Sequence, residues 1–364
     1  MSKSICFILP SKEHAPAGGY KIVYEYANLF AEKNYDVHIL YTYLQREKLK
    51  YNKKSLFYII TKFIKFNLMR LLPSYKKVKW FNLDKRIKKH FVFLMNKTNL
   101  KFVKDDCNFI ATVLFTAYDL AKFENLKNKF YFIQGFETWW AKTEEDVLKS
   151  YKLPLRKIVI SEGLLEKVKL AGENAELIYN GFSFDYFKLN NPIEKRNPYH
   201  ICMMNHWDDV KRVEDSFAAL DIVKQKYPDL TVNIFGVSER PQNLPDWYHY
   251  YQKPNQVDHN FVYNDSAIFI AASRSEGMAL PPAEAMICGC ALVCTNIPGF
   301  SVYAKDNKTA LLSPILNPNA LANNIIKLIE DNDLRIKIAK AGNEYIKQFT
   351  WERAFTQFEK YIQS

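Results

Sequence analysis

The stretch Glu276-Gly277-Met278-Ala279-Leu280-Pro281-Pro282-Ala283-Glu284-Ala285-Met286 follows the apolar run Ile268 to Ala272. That order predicts a buried strand, a short glycine-bearing turn and a helix opened by proline. Pro282 suits a first helical turn, where a missing N–H costs nothing. A helix starting there turns free backbone N–H groups towards the mouth of the sheet, where an anion can sit. Glu276 and Glu284 stand on either side of that mouth. Carboxylates do not bind phosphate, but they accept hydrogen bonds from hydroxyls. Hydroxyl, diphosphate, hydroxyl is the pattern of a sugar nucleotide.

Outward from this run, the chain alternates strands and helices. Strands are predicted at Ile5 to Leu9, Asp36 to Tyr41, Phe109 to Phe115, Phe130 to Gln134, Lys157 to Ser161 and Ala175 to Ile178. Tyr20 to Lys33 reads as a helix with an apolar face at Val23, Ala27 and Phe30. The polar, proline-bearing segment Asn190 to Pro198 reads as a linker. A second alternating set follows, with strands at His200 to Met204, Thr231 to Gly236, Ile268 to Ala272 and Ala291 to Thr295. Its helices are predicted at Val213 to Tyr227, Pro282 to Cys288, Asn319 to Asp331, Leu334 to Phe349 and Trp351 to Gln363. The fold class is α/β: two Rossmann-like, doubly wound domains facing a central cleft, with ligands at the carboxyl ends of parallel strands.

With 364 residues, the chain is long enough for two domains, each with its own core. Its six cysteines mostly lie in strand-like apolar runs, which predicts buried, reduced thiols and a cytoplasmic protein. No targeting segment and no membrane span is visible. Charge is unevenly spread. Between Arg46 and Lys104 there are 18 Lys or Arg against two acids, Glu47 and Asp84, although the whole chain carries only +12. This stretch, about 46–104, is also apolar and aromatic, as in Leu56-Phe57-Tyr58-Ile59-Ile60-Thr61-Lys62-Phe63-Ile64-Lys65-Phe66. A basic amphipathic insert suits the anionic inner face of a membrane; a solvated basic face over a core helix is the plainer reading. No nucleic-acid-binding motif accompanies the charge, so no nucleic-acid partner is expected.

Three further features point to phosphate. Gly18-Gly19 precedes the first helix, where paired glycines allow close backbone approach; a plain tight turn reads equally well. Lys211-Arg212 follows the strand at His200, where two cations could neutralise a diphosphate or form a solvated charge pair. His206 lies five residues before Lys211, and a lone His is more often structural. The only Asp-x-Asp, Asp331-Asn332-Asp333, sits between two late helices, so no metal site is expected.

Taken together, these residues resemble the GT-B glycosyltransferases of family 4, the retaining group 1 sugar-nucleotide enzymes. The Glu276 to Glu284 run carries the likeness, with Gly18-Gly19, Ile178-Tyr179-Asn180-Gly181 and Lys211 in support. Tyr131-Phe132-Ile133-Gln134-Gly135-Phe136-Glu137-Thr138-Trp139-Trp140 is similar to a stretch of bacterial rhamnosyltransferases and related surface-glycan enzymes. The resemblance implies that Glu284 binds ribose hydroxyls and Glu276 faces the donor sugar. It implies that the N–H groups of Met278, Ala279 and Leu280 hold sugar hydroxyls and phosphate, and that Lys211 neutralises the departing diphosphate. Gly19 would let the first domain approach the same group. Gln134 stands where many relatives place a donor-contacting His, and Glu137 and Trp139 are candidates to line the acceptor site. Two positions depart from the family. His206 replaces a usual Arg and Arg212 a usual Gly, so either could supply the missing phosphate contact.

By the same resemblance, residues 1–190 form an acceptor domain and 191–349 a nucleotide-sugar domain, while 350–364 pack back on the first. The implied activity is retaining, metal-independent hexosyl transfer, with a nucleotide-diphosphate sugar as co-substrate and no cofactor. The acceptor would be a glycan or lipid-linked glycan of bacterial surface polysaccharide or glycolipid synthesis, met at the inner face of the cell membrane. The other readings are an epimerase-type enzyme on the same fold and a catalytically silent membrane-docking subunit.

Overall fold

The structure, a computed structural model, describes residues 3–11, 16–43, 56–96, 100, 103, 106–141 and 143–364. It divides into two compact units. The first comprises residues 1–178 and 355–364, the second residues 179–354. The segment Asn190 to Pro198 therefore lies within the second unit and is not a linker. Arg196, almost fully buried, donates to the carbonyls of Asn191, Tyr263, Ser266 and Cys288, which holds this stretch against the second unit's interior.

Among the described residues, the first unit is built on a parallel sheet of seven strands. In chain order they are β1 (Ser4–Leu9), β2 (Asp36–Thr42), β3 (Lys88–Val92), β4 (Asn108–Ala111), β5 (Lys129–Ile133), β6 (Arg156–Val159) and β7 (Glu176–Leu177). Their spatial order is β3-β2-β1-β4-β5-β6-β7, so the chain reverses direction across the sheet between β1 and β4. β1 is buried along its whole length, as expected of a central parallel strand. The basic insert does not simply interrupt the alternation. It contains the helix Leu56–Leu71 and the edge strand β3, whose lysines mark it as charged and half-exposed. Residues 46–55, 97–99, 101, 102 and 104 of that insert lie outside the described residues.

Two local predictions are corrected. The helix begins at Gly18, not Tyr20, so the glycine pair forms its first turn and not a loop. The predicted strand to Phe115 stops at Ala111 and gives way to a helix, Leu114–Ala121. There Thr116 Oγ1 accepts from the N–H groups of Thr112 and Val113, which turns the backbone out of the sheet.

The second unit carries a six-stranded parallel sheet. Its strands are β8 (His200–Asn205), β9 (Thr231–Gly236), β10 (Tyr248–Gln252), β11 (Ile268–Ala271), β12 (Ala291–Thr295) and β13 (Ala310–Ser313), ordered β10-β9-β8-β11-β12-β13. Ile201, Val232, Ile234, Ile270 and Val293 fill its core with Leu321, Ile325 and Leu328 of the helix Pro318–Glu330. Asn317 caps that helix by accepting from Ala320 N at 3.0 Å, and Asp331 caps the next, Asn332–Ile346, through Leu334 N at 2.9 Å. Asp331 thus has a structural role at the Asp-Asn-Asp run. All six cysteines are buried and free. No helix among the described residues is long and apolar enough to cross a membrane.

Candidate functional site

In the second sheet the chain reverses between β8 and β11, and loops leaving the carboxyl ends of such a strand pair frame the usual ligand crevice of doubly wound folds. Lys211 lies in the loop after β8 and Glu276 in the loop after β11. Lys211 Nζ donates to both Glu276 carboxylate oxygens, at 2.6 and 2.8 Å. Ser273 Oγ donates to Glu276 Oε1 at 2.8 Å. The two loops are joined again by Arg274, whose N–H donates to Val210 O at 2.9 Å and whose guanidinium pairs with Asp209 at 2.8 Å. Lys211 and Glu276 themselves line a small cavity of about 20 Å³, together with Ser216, Ser273, Ala279 and Phe300, with room for a water molecule.

Next to this pair a helix begins. It spans Leu280–Ile287, with Ala279 as its N-cap and no side chain capping it. Pro281 and Pro282 both fall in the first turn, where their missing N–H groups leave no bond unmade. Met278 and Ala279 are buried, and Tyr303 donates to Ala279 O at 2.7 Å, which anchors the turn from below. Glu284, one turn into the helix, is only 6% exposed, and Tyr263 donates to its Oε2 at 3.3 Å. Burial first, then Cys294, Glu276 and Glu284, raise the Tyr303 phenol well above its ordinary value, so both glutamates act on this buried tyrosine.

The two departures from the family pattern resolve differently. Arg212 adopts left-handed backbone, φ 47° and ψ 47°, a conformation that glycine takes freely. Its guanidinium is held by Asp209, Glu214 and Asp215, which raise its pKa further; it stabilises its own loop and does not bond to Glu276. His206 Nδ1 accepts from Asp208 N–H at 3.0 Å. Burial, reinforced by Lys211, lowers the His206 pKa and favours the neutral ring, in which an accepting Nδ1 leaves Nε2 as the hydrogen-bond donor. The adjoining Trp207 stacks on His206 and is 77% exposed, a side chain the sequence reading did not single out.

In the first unit, Gly19 and Gln134 come together. A Cβ on Gly19 would meet the Gln134 amide at 3.6 Å, ordinary contact, so crowding does not demand glycine there. The Gln134 Oε1 is buried without a hydrogen-bond partner. Glu137 is not an open acceptor-site residue. It is buried, accepts from Leu114 N–H at 2.6 Å and from Tyr131 OH at 3.0 Å, and caps the helix Leu114–Ala121. Trp139 is half exposed, while Trp140 packs edge-on against Phe115. Arg274, Tyr303 and Gly299 escaped the sequence reading, because their role depends on contacts with distant loops.

Residues 187–345 match the family model described as Glycosyl transferases group 1. The matched residues fall within the second unit. Among curated relatives, the chain is 24% identical over 235 residues to the capsular polysaccharide biosynthesis glycosyltransferase CapM of Staphylococcus aureus, covering 56% of this chain and 61% of that protein. It is 29% identical over 111 residues to O-antigen chain mannosyltransferase B of Escherichia coli, covering 30% and 29%. It thus spans less than two thirds of the length of these relatives. Among solved structures, TarM superposes with a TM-score of 0.74 at 14% identity, covering 100% of this chain and 99% of that one. Anabaena HepE in complex with UDP and glucose gives 0.72 at 13%, covering 99% and 100%. The fold is therefore GT-B, two Rossmann-like parallel-sheet domains.

Proposed function

We propose that the chain is a retaining glycosyltransferase that moves a sugar from a nucleotide diphosphate to a glycan or lipid-linked glycan of the bacterial surface. The observation that carries this reading is the Lys211–Glu276 pair at the reversal point of the second sheet, beside an uncapped helix start. A diphosphate entering there would meet the Lys211 ammonium and the backbone N–H groups of Met278, Ala279 and Leu280. Glu276, freed from Lys211, would accept from donor-sugar hydroxyls, and Glu284 from the ribose. His206 Nε2–H is the further donor for phosphate.

In this reading the bond from the anomeric carbon to the diphosphate oxygen breaks while the acceptor oxygen bonds to the same face. The acceptor proton passes to the departing diphosphate. The protein's contribution is electrostatic, directed at the leaving group by Lys211 and the helix start. No cofactor and no metal enters the scheme. The relatives named for capsule and O-antigen synthesis support a surface-glycan product.

The test is a thermal-shift panel of UDP-, GDP- and dTDP-linked sugars, with UDP first because structural neighbours such as TarM and HepE are complexes with UDP. One base should raise the melting midpoint in wild type and not in Glu284→Ala. Glu276→Ala should keep most donor binding and lose transfer to acceptor. Wild-type turnover in either variant would remove that residue from the site, and binding without any transfer would leave a silent subunit.

A further inference from the structure

Among the described residues, the helix Leu56–Leu71 of the first unit is fastened through the face that carries Phe66 and Phe63. Phe66 is buried, its ring 5.3 Å from Tyr43 and 5.8 Å from Phe93, and Phe63 meets Phe93 edge-on at 5.2 Å. Directly opposite, Phe57, Ile60, Ile64, Leu68 and Leu71 recur at intervals of three and four residues, which aligns them in one stripe. All five are between 47% and 75% exposed, and Leu72, just past the helix, is exposed as well. A contiguous apolar face of this size on a protein surface marks an interaction site.

The charge around the stripe selects its occupant. Lys65 and Arg70 are exposed on the same helix, and Lys76, Lys77 and Lys79 follow it directly. The surrounding sequence, Arg46 to Lys104, holds 18 cations against two acids, while the rest of the chain is slightly acidic. A second copy of this chain would bring two such basic segments together, and they would repel. An anionic lipid surface satisfies both features, taking up the apolar side chains and neutralising the cations. At 16 residues the helix is about 24 Å long, and it carries Lys62, Lys65 and Arg70, which suits it to lie in the plane of the interface. We propose that the exposed face of the helix Leu56–Leu71 docks the protein on anionic membranes. This rests on the helix face and its charge, and does not depend on the transfer activity.

The experiment is co-sedimentation of the full chain with vesicles of phosphatidylcholine alone and of phosphatidylcholine with phosphatidylglycerol. Wild type should pellet with the anionic vesicles and not with the neutral ones, less so as salt rises. Ile64→Asp combined with Leu68→Asp should weaken partitioning about tenfold or more, with an unchanged melting curve because both side chains are exposed. A second probe, Ile64→Trp, should show a blue-shifted emission on anionic vesicles. Equal pelleting of wild type and the double variant, or an unshifted tryptophan, overturns the proposal. So does self-association without vesicles that the double variant abolishes, which would assign the face to a second copy.

Discussion

Gly299 shows how one atom can hold the site together. A Cβ at this position would lie 2.4 Å from Glu276 O and 2.6 Å from Glu276 C, closer than folded backbone tolerates. The segment Pro298–Ser301 therefore presses directly on the loop that carries Glu276. Gly299→Ala is expected to cost about 1–3 kcal/mol in urea unfolding and to move Glu276 away from Lys211. The second effect would appear as a loss of donor-induced thermal shift. Unchanged stability and donor response would show that the loops yield freely. Arg212 shows the opposite arrangement. A non-glycine residue in left-handed backbone costs about 1–2 kcal/mol, and three carboxylates hold it in place. Why the family favours glycine there was not legible in the letters, since φ is a property of the folded chain.

At the scale of elements, Glu137 connects β5 to the helix Leu114–Ala121. Burial is the dominant influence and pushes its carboxyl up to about 8, while the Leu114 N–H and Tyr131 hydroxyl act in the other direction. The folded chain thus holds this proton more tightly than the unfolded chain, whose carboxyl titrates in the ordinary range. The stabilising contribution is complete at low pH and is lost as pH rises through about 8. Melting midpoints measured across that range should fall more steeply in wild type than in Glu137→Gln, which cannot titrate. Parallel profiles would mean that the carboxyl is ionised throughout. The sequence suggested an acceptor-site role for Glu137, but the short strand Asn108–Ala111 brings a helix start onto it. Edge strands were also hard to read. β3 is rich in lysine, and β13, Ala310–Ser313, is a short apolar run at the sheet edge that the sequence analysis did not name.

At the scale of the molecule, the end of the chain belongs to its beginning. Residues 355–364 count with the first unit, although they follow the second in sequence. Phe358 lies 4.6 Å from Tyr26 and 5.4 Å from Phe132, and Phe355 lies 4.7 Å from Phe30. Arg156 donates to Tyr361 O at 2.8 Å and stacks on the Tyr361 ring. Phe358→Ala should cost the first unit about 3–5 kcal/mol. Hydrogen exchange should then speed up in β1, β5 and the helix Gly18–Glu32, and not in β8 to β13. Equal exchange throughout would show that the C-terminal segment is peripheral to the first core.

The amino-acid sequence alone left the helices Leu56–Leu71, Leu114–Ala121, Glu144–Tyr151, Glu162–Leu170 and Gln256–Asp265 unread, but it determined the central alternation of strands and helices in each unit, the bounds of the helices it did read to within about three residues, and the proline-bearing helix start after Glu276. These depend on local periodicity, caps and ring geometry, which neighbouring residues specify between themselves. Only the tertiary structure decided that Lys211 meets Glu276 across 65 positions, that Gly299 is seated on Glu276, and that Arg212 bonds to its own loop. It also decided that Glu137 is buried and that one face of Leu56–Leu71 is not. Each of these depends on which distant segments the strand order brings side by side, and that order is set by how two whole cores pack.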